Sequence, residues 1–259
     1  MKRIPTLSRR HYASIALSRA GAELRSEARR AYLGVLWWVI DPLVYMLAFY
    51  VVFTALLNRG ESYPTFLLVG LVPWKWFAGT IGPSSNCLAA NKGMIRLVYL
   101  PKQIFPAVVT LTASAKFLII LCILIGYLVL SGVPIVSAWI ALPVVIGIQF
   151  VWTWACAVTV AALVPFAPDL RTFIDNGLLL LMFMSGIFFD LEEVPEPQRS
   201  WFSLNPMALI IRAYRQVLLD GESPTWAPLV GVFVVAIVLL WSASYFMHRK
   251  DRVYPKVIR

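Results

Sequence analysis

Between Ile104 and Leu130 the chain carries a single charged side chain, Lys116. A helix crosses a hydrocarbon layer about 30 Å thick with about 20 such residues. Three further stretches read the same way: Val35 to Leu57, Ala138 to Val164 and Trp226 to Met247. Two others are weaker. One begins near Thr65 and reaches about Ala90, with breaks expected at Pro73-Trp74-Lys75-Trp76 and Gly82-Pro83. Proline removes a backbone donor there and crowds the preceding turn. The other runs from Phe173 to Phe189. The chain is 60% hydrophobic and 14% charged, with mean hydropathy +0.76, whereas soluble domains carry roughly a quarter charged residues. The expected fold is therefore an all-α integral membrane protein with six transmembrane helices. It forms a single membrane domain over 1–259: a basic segment 1–34, the six-helix part 35–247 and a tail 248–259.

Loop charge sets the orientation. With a cytoplasmic N-terminus, the inside segments 1–34, 91–103, 165–172 and 248–259 hold seventeen Lys and Arg, and the outside segments hold four. Lys75 and Lys116, inside spans, complete the 23. That asymmetry is what the positive-inside rule demands, and it puts both termini in the cytoplasm. The surplus of 23 Lys and Arg over 13 Asp and Glu flanks apolar spans, so it points to lipid headgroups rather than nucleic acid. Nor is the N-terminus a cleavable signal, being basic throughout with no apolar core before Gly34.

Two segments between the spans have their own character. Residues 9–33 mix Arg, Glu and small residues with Tyr12, Ile15, Leu17, Leu24, Tyr32 and Leu33. This pattern fits an amphipathic helix at the cytoplasmic face, a solvated basic tail being the alternative. Residues 190–225 open acidic and proline-rich, then turn apolar from Met207 to Leu219. They are too interrupted to span and read as short re-entrant helices, since broken backbone is tolerated at membrane depth only under cover. A plain outer loop with one surface helix is the alternative.

Chemistry-bearing residues are sparse. The phosphate-cradling pattern GxxxxGK[ST] is absent, so any ATP hydrolysis belongs to another chain. Asp41, Lys75, Lys116 and Asp175 are the ionisable groups within spans, and their spacing forms no proton relay. His11 and His248 lie in the tails, away from carboxylates. Asp190, Glu192, Glu193 and Glu196 gather outside, as solvated loops commonly do. Cys87, Cys122 and Cys156 lack metal-ligand spacing and read as packing residues. No catalytic, cofactor or metal site is expected in this chain.

Aromatic residues are more telling: ten Trp, ten Tyr and fifteen Phe. Several Trp fall near span ends, where an interfacial belt explains them. Tyr45, Phe49 and Phe53 stand at i, i+4 and i+8, on one helical face. With Trp152, Phe183 and Phe188 they could line a conduit in which flat rings stack weakly on sugar faces. Lipid-facing packing is the alternative.

With these stretches in view, the chain resembles the permease subunits of ATP-binding-cassette exporters for bacterial surface polysaccharides. Arg30-Ala-Tyr-Leu-Gly-Val-Leu-Trp37 and Asp41-Pro42-Leu43 are similar to the family's interfacial helix and first span, although relatives often carry Asn before that Pro. Phe66-Leu-Leu-Val-Gly-Leu-Val-Pro-Trp74 resembles its second span, and Ala90-Asn-Lys-Gly-Met-Ile-Arg-Leu-Val-Tyr-Leu-Pro101 the turn that follows. Leu204-Asn-Pro206 with Arg212-Ala-Tyr-Arg-Gln-Val-Leu-Leu219 resembles its outer re-entrant segment.

The resemblance implies a homodimer in the bacterial inner membrane, joined by two ATPase subunits that hold ATP and Mg, and a lipid-linked polysaccharide as substrate. It implies that 91–101 is a coupling helix, with Asn91, Lys92, Arg96 and Lys102 facing the ATPase or lipid phosphates. It also implies that Arg25, Arg29 and Arg30 could meet a lipid pyrophosphate, which a planar guanidinium binds through two oxygens. A permease for a drug or small lipid is the alternative within transport, and an integral-membrane enzyme of envelope biosynthesis the alternative outside it.

Overall fold

The computed structural model describes residues 9–30, 34, 36–52, 63–97, 100–190, 195, 201–202 and 204–258. The helices are α1 (Arg9–Arg30), α2 (Leu36–Tyr50), α3 (Tyr63–Ala90), α4 (Lys92–Leu97) and α5 (Ile104–Leu130). A 3-10 turn, Ser137–Ala141, leads into α6 (Leu142–Leu163). There follow α7 (Leu170–Met184), α8 (Pro206–Arg215), α9 (Trp226–Arg249) and α10 (Tyr254–Val257). No strand occurs among the described residues.

Among the described residues, four helical stretches are long and apolar enough to cross a membrane: Tyr63–Ala90, Ile104–Leu130, Ser137–Leu163 and Trp226–Arg249. Helices α2 and α7 have 15 residues each, about 22 Å of helix. The far end of the first expected span, Phe53 to Leu57, lies outside the described residues. The fifth ends earlier than its apolar run, because the chain leaves the helix at Ser185 and turns at Gly186, whose φ of 68° favours glycine.

Helix α3 is the spine, buried along most of its length and packed against α2, α5, α6, α7 and α8. The breaks expected at Pro73 and Pro83 do not occur, and the helix runs through both. Neighbouring side chains serve the carbonyls nearby. The wholly buried Gln149 of α6 donates from Nε2 to the Pro73 carbonyl at 2.8 Å. Within α3, the Ser85 hydroxyl donates to the Gly82 carbonyl at 2.6 Å. Neither bond serves the carbonyls that the prolines leave without a backbone donor, those of Val69 and Gly79, and α3 is held through both positions by the helices packed along it.

Packing elsewhere relies on small residues and stacked rings. Helices α6 and α9 form the most extensive pair, with Ala161, Ala162 and Ala243 sharing one buried cluster. In lipid such close approach replaces the hydrophobic drive that water supplies. Trp76 of α3 stacks on Phe117 of α5, centroids 4.1 Å apart and planes 15° from parallel. Phe117 then meets Tyr214 of α8 edge-on at 6.5 Å. None of the residues of α7 is buried, nor is any described side chain of α2.

Candidate functional site

At one end of the bundle, α3 stops at Ala90 and a single turn residue, Asn91, leads into α4. The Asn91 side-chain amide donates to the Cys87 carbonyl at 2.8 Å, and its own carbonyl accepts from the Ile95 amide. These bonds fix the angle at which α4 leaves α3. Ile95 is the buried residue of α4, whereas Lys92, Arg96 and Leu97 are exposed, Leu97 at 86%. A six-residue helix cannot hold itself together in water, so α4 depends on what it rests upon.

What it rests upon is the C-terminal segment. Ile95, Phe105, Met247, Tyr254 and Ile258 belong to one buried cluster. Arg96 Nη2 donates to the Ile258 carbonyl at 3.3 Å, and the Tyr254 hydroxyl donates to the Ala162 carbonyl at 2.9 Å. Burial, reinforced by the Asp251 charge, pushes the Tyr254 phenol above its usual range. Lys102 Nζ pairs with Asp251 Oδ1 at 3.3 Å, the two side chains only 2% and 12% exposed. Asn91, Lys92 and Arg96 thus share one projecting element as the sequence suggests. Lys102 does not join them, because it points inward to Asp251.

Helix α1 packs lengthwise on α5. Ala16 and Ala20 are buried against Ile104 and Val108, Arg19 lies over the Phe105 ring at 5.8 Å, and Glu27 pairs with Lys116. A cavity of about 730 Å³ lies between α1, α3, α5 and α7, lined by Arg19, Glu23, Glu27, Asn86, Arg171 and Asp175 among others. Arg25 and Arg29 are exposed on α1, and the side chain of Arg30 lies outside the described residues.

At the opposite end, Asn205 caps α8 by accepting from the Met207 amide at 3.0 Å. It also donates to the Met184 carbonyl and to Ser185 Oγ, tying α8 to the end of α7. Helix α8 is ten residues long and buries Met207, Ile210, Ile211, Tyr214 and Arg215. The Arg215 guanidinium donates to the carbonyls of Gly186, Ile187 and Phe189 at 2.5, 2.8 and 3.5 Å, and to Phe66 at 3.4 Å. It also covers the Phe66 ring, 3.4 Å from its centre. One cation therefore satisfies the non-helical carbonyls left where α7 stops, a place where bare backbone would be costly. A wider π-helical turn, Gln216–Asp220, ends on Gly221, whose φ is +69°.

The aromatic candidates fall into separate environments. Phe183 is exposed and stands 5.2 Å from the buried Phe188, while Trp152 packs half-buried against the main core. Tyr45 and Phe49 lie on α2 with their side chains outside the described residues, as is all of Phe53. Glu192, Glu193 and Glu196 lie outside them too. Sequence reasoning missed Arg215, Asp251 and Tyr254. The one hint was Asp251 itself, a lone acid within the basic stretch Arg249-Lys250-Asp251-Arg252.

Long apolar helices, a projecting basic helix at one end and a buried half-length helix at the other define a polytopic helical membrane protein. The chain belongs to the ABC-2 type transporter family, whose model matches residues 20–219. It is 28% identical to an O-antigen export system permease protein of Myxococcus xanthus, over 95% of this chain and 96% of that relative. A Klebsiella pneumoniae O-antigen export system permease protein is 26% identical over 77% of this chain and 78% of its own length. The polysialic acid transport protein KpsM of Escherichia coli is 23% identical over 77% and 79%.

Proposed function

We propose that this chain is the membrane-spanning subunit of an ATP-driven exporter. Its substrate is a lipid-linked surface polysaccharide, O-antigen or a related glycan, carried across the bacterial inner membrane. The observation that carries this reading is the similarity to an O-antigen export permease along 95% of the chain. In this reading α2 and α7 join the four longer helices as the first and fifth of six crossings, and both termini lie in the cytoplasm, where the basic loops are. Helix α8 is re-entrant from the outer face: at ten residues it cannot cross, and Arg215 supplies the cover its surroundings need. The whole of 1–259 works as one permease domain.

The functional unit is a homodimer. Helix α7 is apolar from Leu178 to Met184 yet buries none of its residues, so a second copy covers it. Two separate ATPase subunits hold ATP and Mg, and each receives α4 in a cleft, with Lys92 and Arg96 meeting acidic groups and Asn91 setting the angle. Their closure on ATP moves α4, and the anchored C-terminal segment passes that motion to α9 and α6. Arg25, Arg29 and Arg30 meet the lipid pyrophosphate, and Tyr45, Phe49, Phe53, Trp152, Phe183 and Phe188 line the polymer path. The test is deletion and complementation in the source cell. Loss of this chain leaves lipid-linked polymer inside and none at the surface, and wild type restores export. Replacing Tyr45, Phe49 and Phe53 with Ala leaves the complex assembled but export blocked, and normal surface polymer in that variant removes the conduit.

A further inference from the structure

The cavity of about 730 Å³ between α1, α3, α5 and α7 carries charges of both signs from two helices. On α1, Arg19 and Glu23 stand one turn apart, and on α7 Arg171 and Asp175 do the same. That spacing permits an ion pair along each helix. Neither forms, and among the described residues none of the four carries a salt bridge. Arg19 instead lies over the Phe105 ring, which leaves the N–H rim of its guanidinium to bond elsewhere. Glu27, the fifth charge in the described lining, is already balanced by Lys116. The cavity thus presents two guanidinium groups and two carboxylates that do not satisfy one another.

Depth and sign narrow the ligand. Phe105, Val108 and Val109, on the first turns of α5, line the cavity. Helix α5 has 27 residues, about 40 Å of helix against a hydrocarbon layer of about 30 Å. Its end turns therefore stand at headgroup level, and in the topology proposed above the first of them faces the cytoplasm. An anion alone would leave the two carboxylates unmatched beside it, and a cation alone would leave the two guanidinium groups. A ligand bearing one charge of each sign matches both. A primary ammonium donates three N–H bonds for carboxylates to accept, whereas a quaternary ammonium donates none and favours aromatic faces. Phe105 is the one ring in the described lining, and it already carries Arg19.

We propose that this cavity binds the phosphoethanolamine head of a membrane lipid. The phosphate accepts from Arg19 and Arg171, whose planar forks suit its oxygens, and the ammonium donates to Glu23 and Asp175. The glycerol end rests on the apolar surface of Val108 and Val109. Glu23, Arg171 and Asp175 are exposed, so each contact alone is weak and selectivity rests on all four together. The bound head bridges α1 and α7. Glycerophosphoethanolamine carries the same head without chains, so lipid and soluble sources share this chemistry.

The test uses delipidated full-length protein in detergent, so its outcome is independent of whether the chain exports a polysaccharide. Four probes are titrated by calorimetry: dioctanoyl phosphatidylethanolamine, dioctanoyl phosphatidylglycerol, dioctanoyl phosphatidylcholine, and glycerophosphoethanolamine. Phosphatidylethanolamine saturates and binds about tenfold more tightly than each of the other three. Glu23→Gln and Asp175→Asn each cut its lead over phosphatidylglycerol about fivefold, a change of ratio that misfolding cannot mimic. Arg171→Met weakens both lipids together. The proposal is overturned if phosphatidylethanolamine fails to saturate, if any other probe binds as tightly, or if both carboxylate variants keep the wild-type ratio.

Discussion

Lys102 Nζ and Asp251 Oδ1 lie 3.3 Å apart in a nearly dry pocket and join the start of α5 to the turn that follows α9. The pair holds the C-terminal segment under α4, where Tyr254 and Ile258 complete the cluster around Ile95. Removing one partner leaves a buried charge uncompensated, which typically costs about 3 kcal/mol or more, whereas replacing both with apolar residues can be neutral. Asp251→Asn should therefore lower the thermal midpoint in detergent, and Lys102→Met combined with Asp251→Leu should recover most of the loss. A double variant as unstable as the two single losses summed would show that the residues act separately.

Tyr254 adds a pH dependence to the same region. Its phenol is pushed upward from a usual value of 10.0, first by burial and then by the Asp251 charge. The unfolded phenol thus ionises before the folded one. Its stabilising contribution is complete below about pH 10 and is lost as pH rises toward the folded value. Tyr254→Phe should flatten the alkaline fall in stability while costing about 1 kcal/mol at neutral pH through the lost bond to Ala162. Unfolding midpoints from pH 8 to 11 give both quantities.

At the opposite end, Arg215 serves four carbonyls with one planar fork. Lysine keeps the charge but not the fork, so Arg215→Lys should destabilise by about 2 kcal/mol and speed amide exchange across 186–190. Gly70 offers an independent probe. A Cβ built there would stand 2.8 Å from Arg215 Nη2, and the guanidinium is too well held to move aside freely. Gly70→Ala should produce the same local rise in exchange, and it should add little to Arg215→Met because both act through one contact.

How much of this was legible in the sequence depends on how far apart the partners lie. The helix Ile104–Leu130 appears with the limits its apolar run marks, because hydropathy is a local property. The prolines of α3 misled for the opposite reason. Whether a proline breaks α3 depends on packing, and the helices that bury α3 along most of its length come from far along the chain. Lys102 looked like a surface residue because it follows Lys92 and Arg96 closely, and its partner arrives only after α9. The early end of α7 was hidden likewise, since Phe183 to Phe189 is continuously apolar apart from Ser185 and Gly186 and the cation covering its carbonyls lies on α8.

Helix α7 provides a test of the homodimer. Leu179 and Leu180 are 55% and 65% exposed. If a second copy covers them, Leu179→Asn with Leu180→Asn puts two polar amides into that contact and should shift the detergent-corrected mass from dimer to monomer. If they face lipid, the mass stays unchanged and the dimer contact lies elsewhere.

The exposed cations of α4 can be separated by what each touches. Lys92 is exposed at the start of the helix, whereas Arg96 is both exposed and bonded to the Ile258 carbonyl. If α4 seats in an acidic cleft of an ATPase, both charges favour association, but only Arg96 also steadies the C-terminal segment. Lys92→Glu should therefore reduce co-purification of the ATPase about tenfold, equivalent to ~1.4 kcal/mol, and leave the thermal midpoint of the isolated permease unchanged. Arg96→Glu should reduce both. Because exposed charges are screened by salt, the wild-type association should also weaken between 0.05 and 0.5 M NaCl, roughly as the Debye length contracts. The Lys92→Glu complex should show a shallower salt dependence. Co-purification that ignores both Lys92→Glu and salt would mean that α4 does not meet its partner through charge, leaving the exposed Leu97 as the apolar contact to test next.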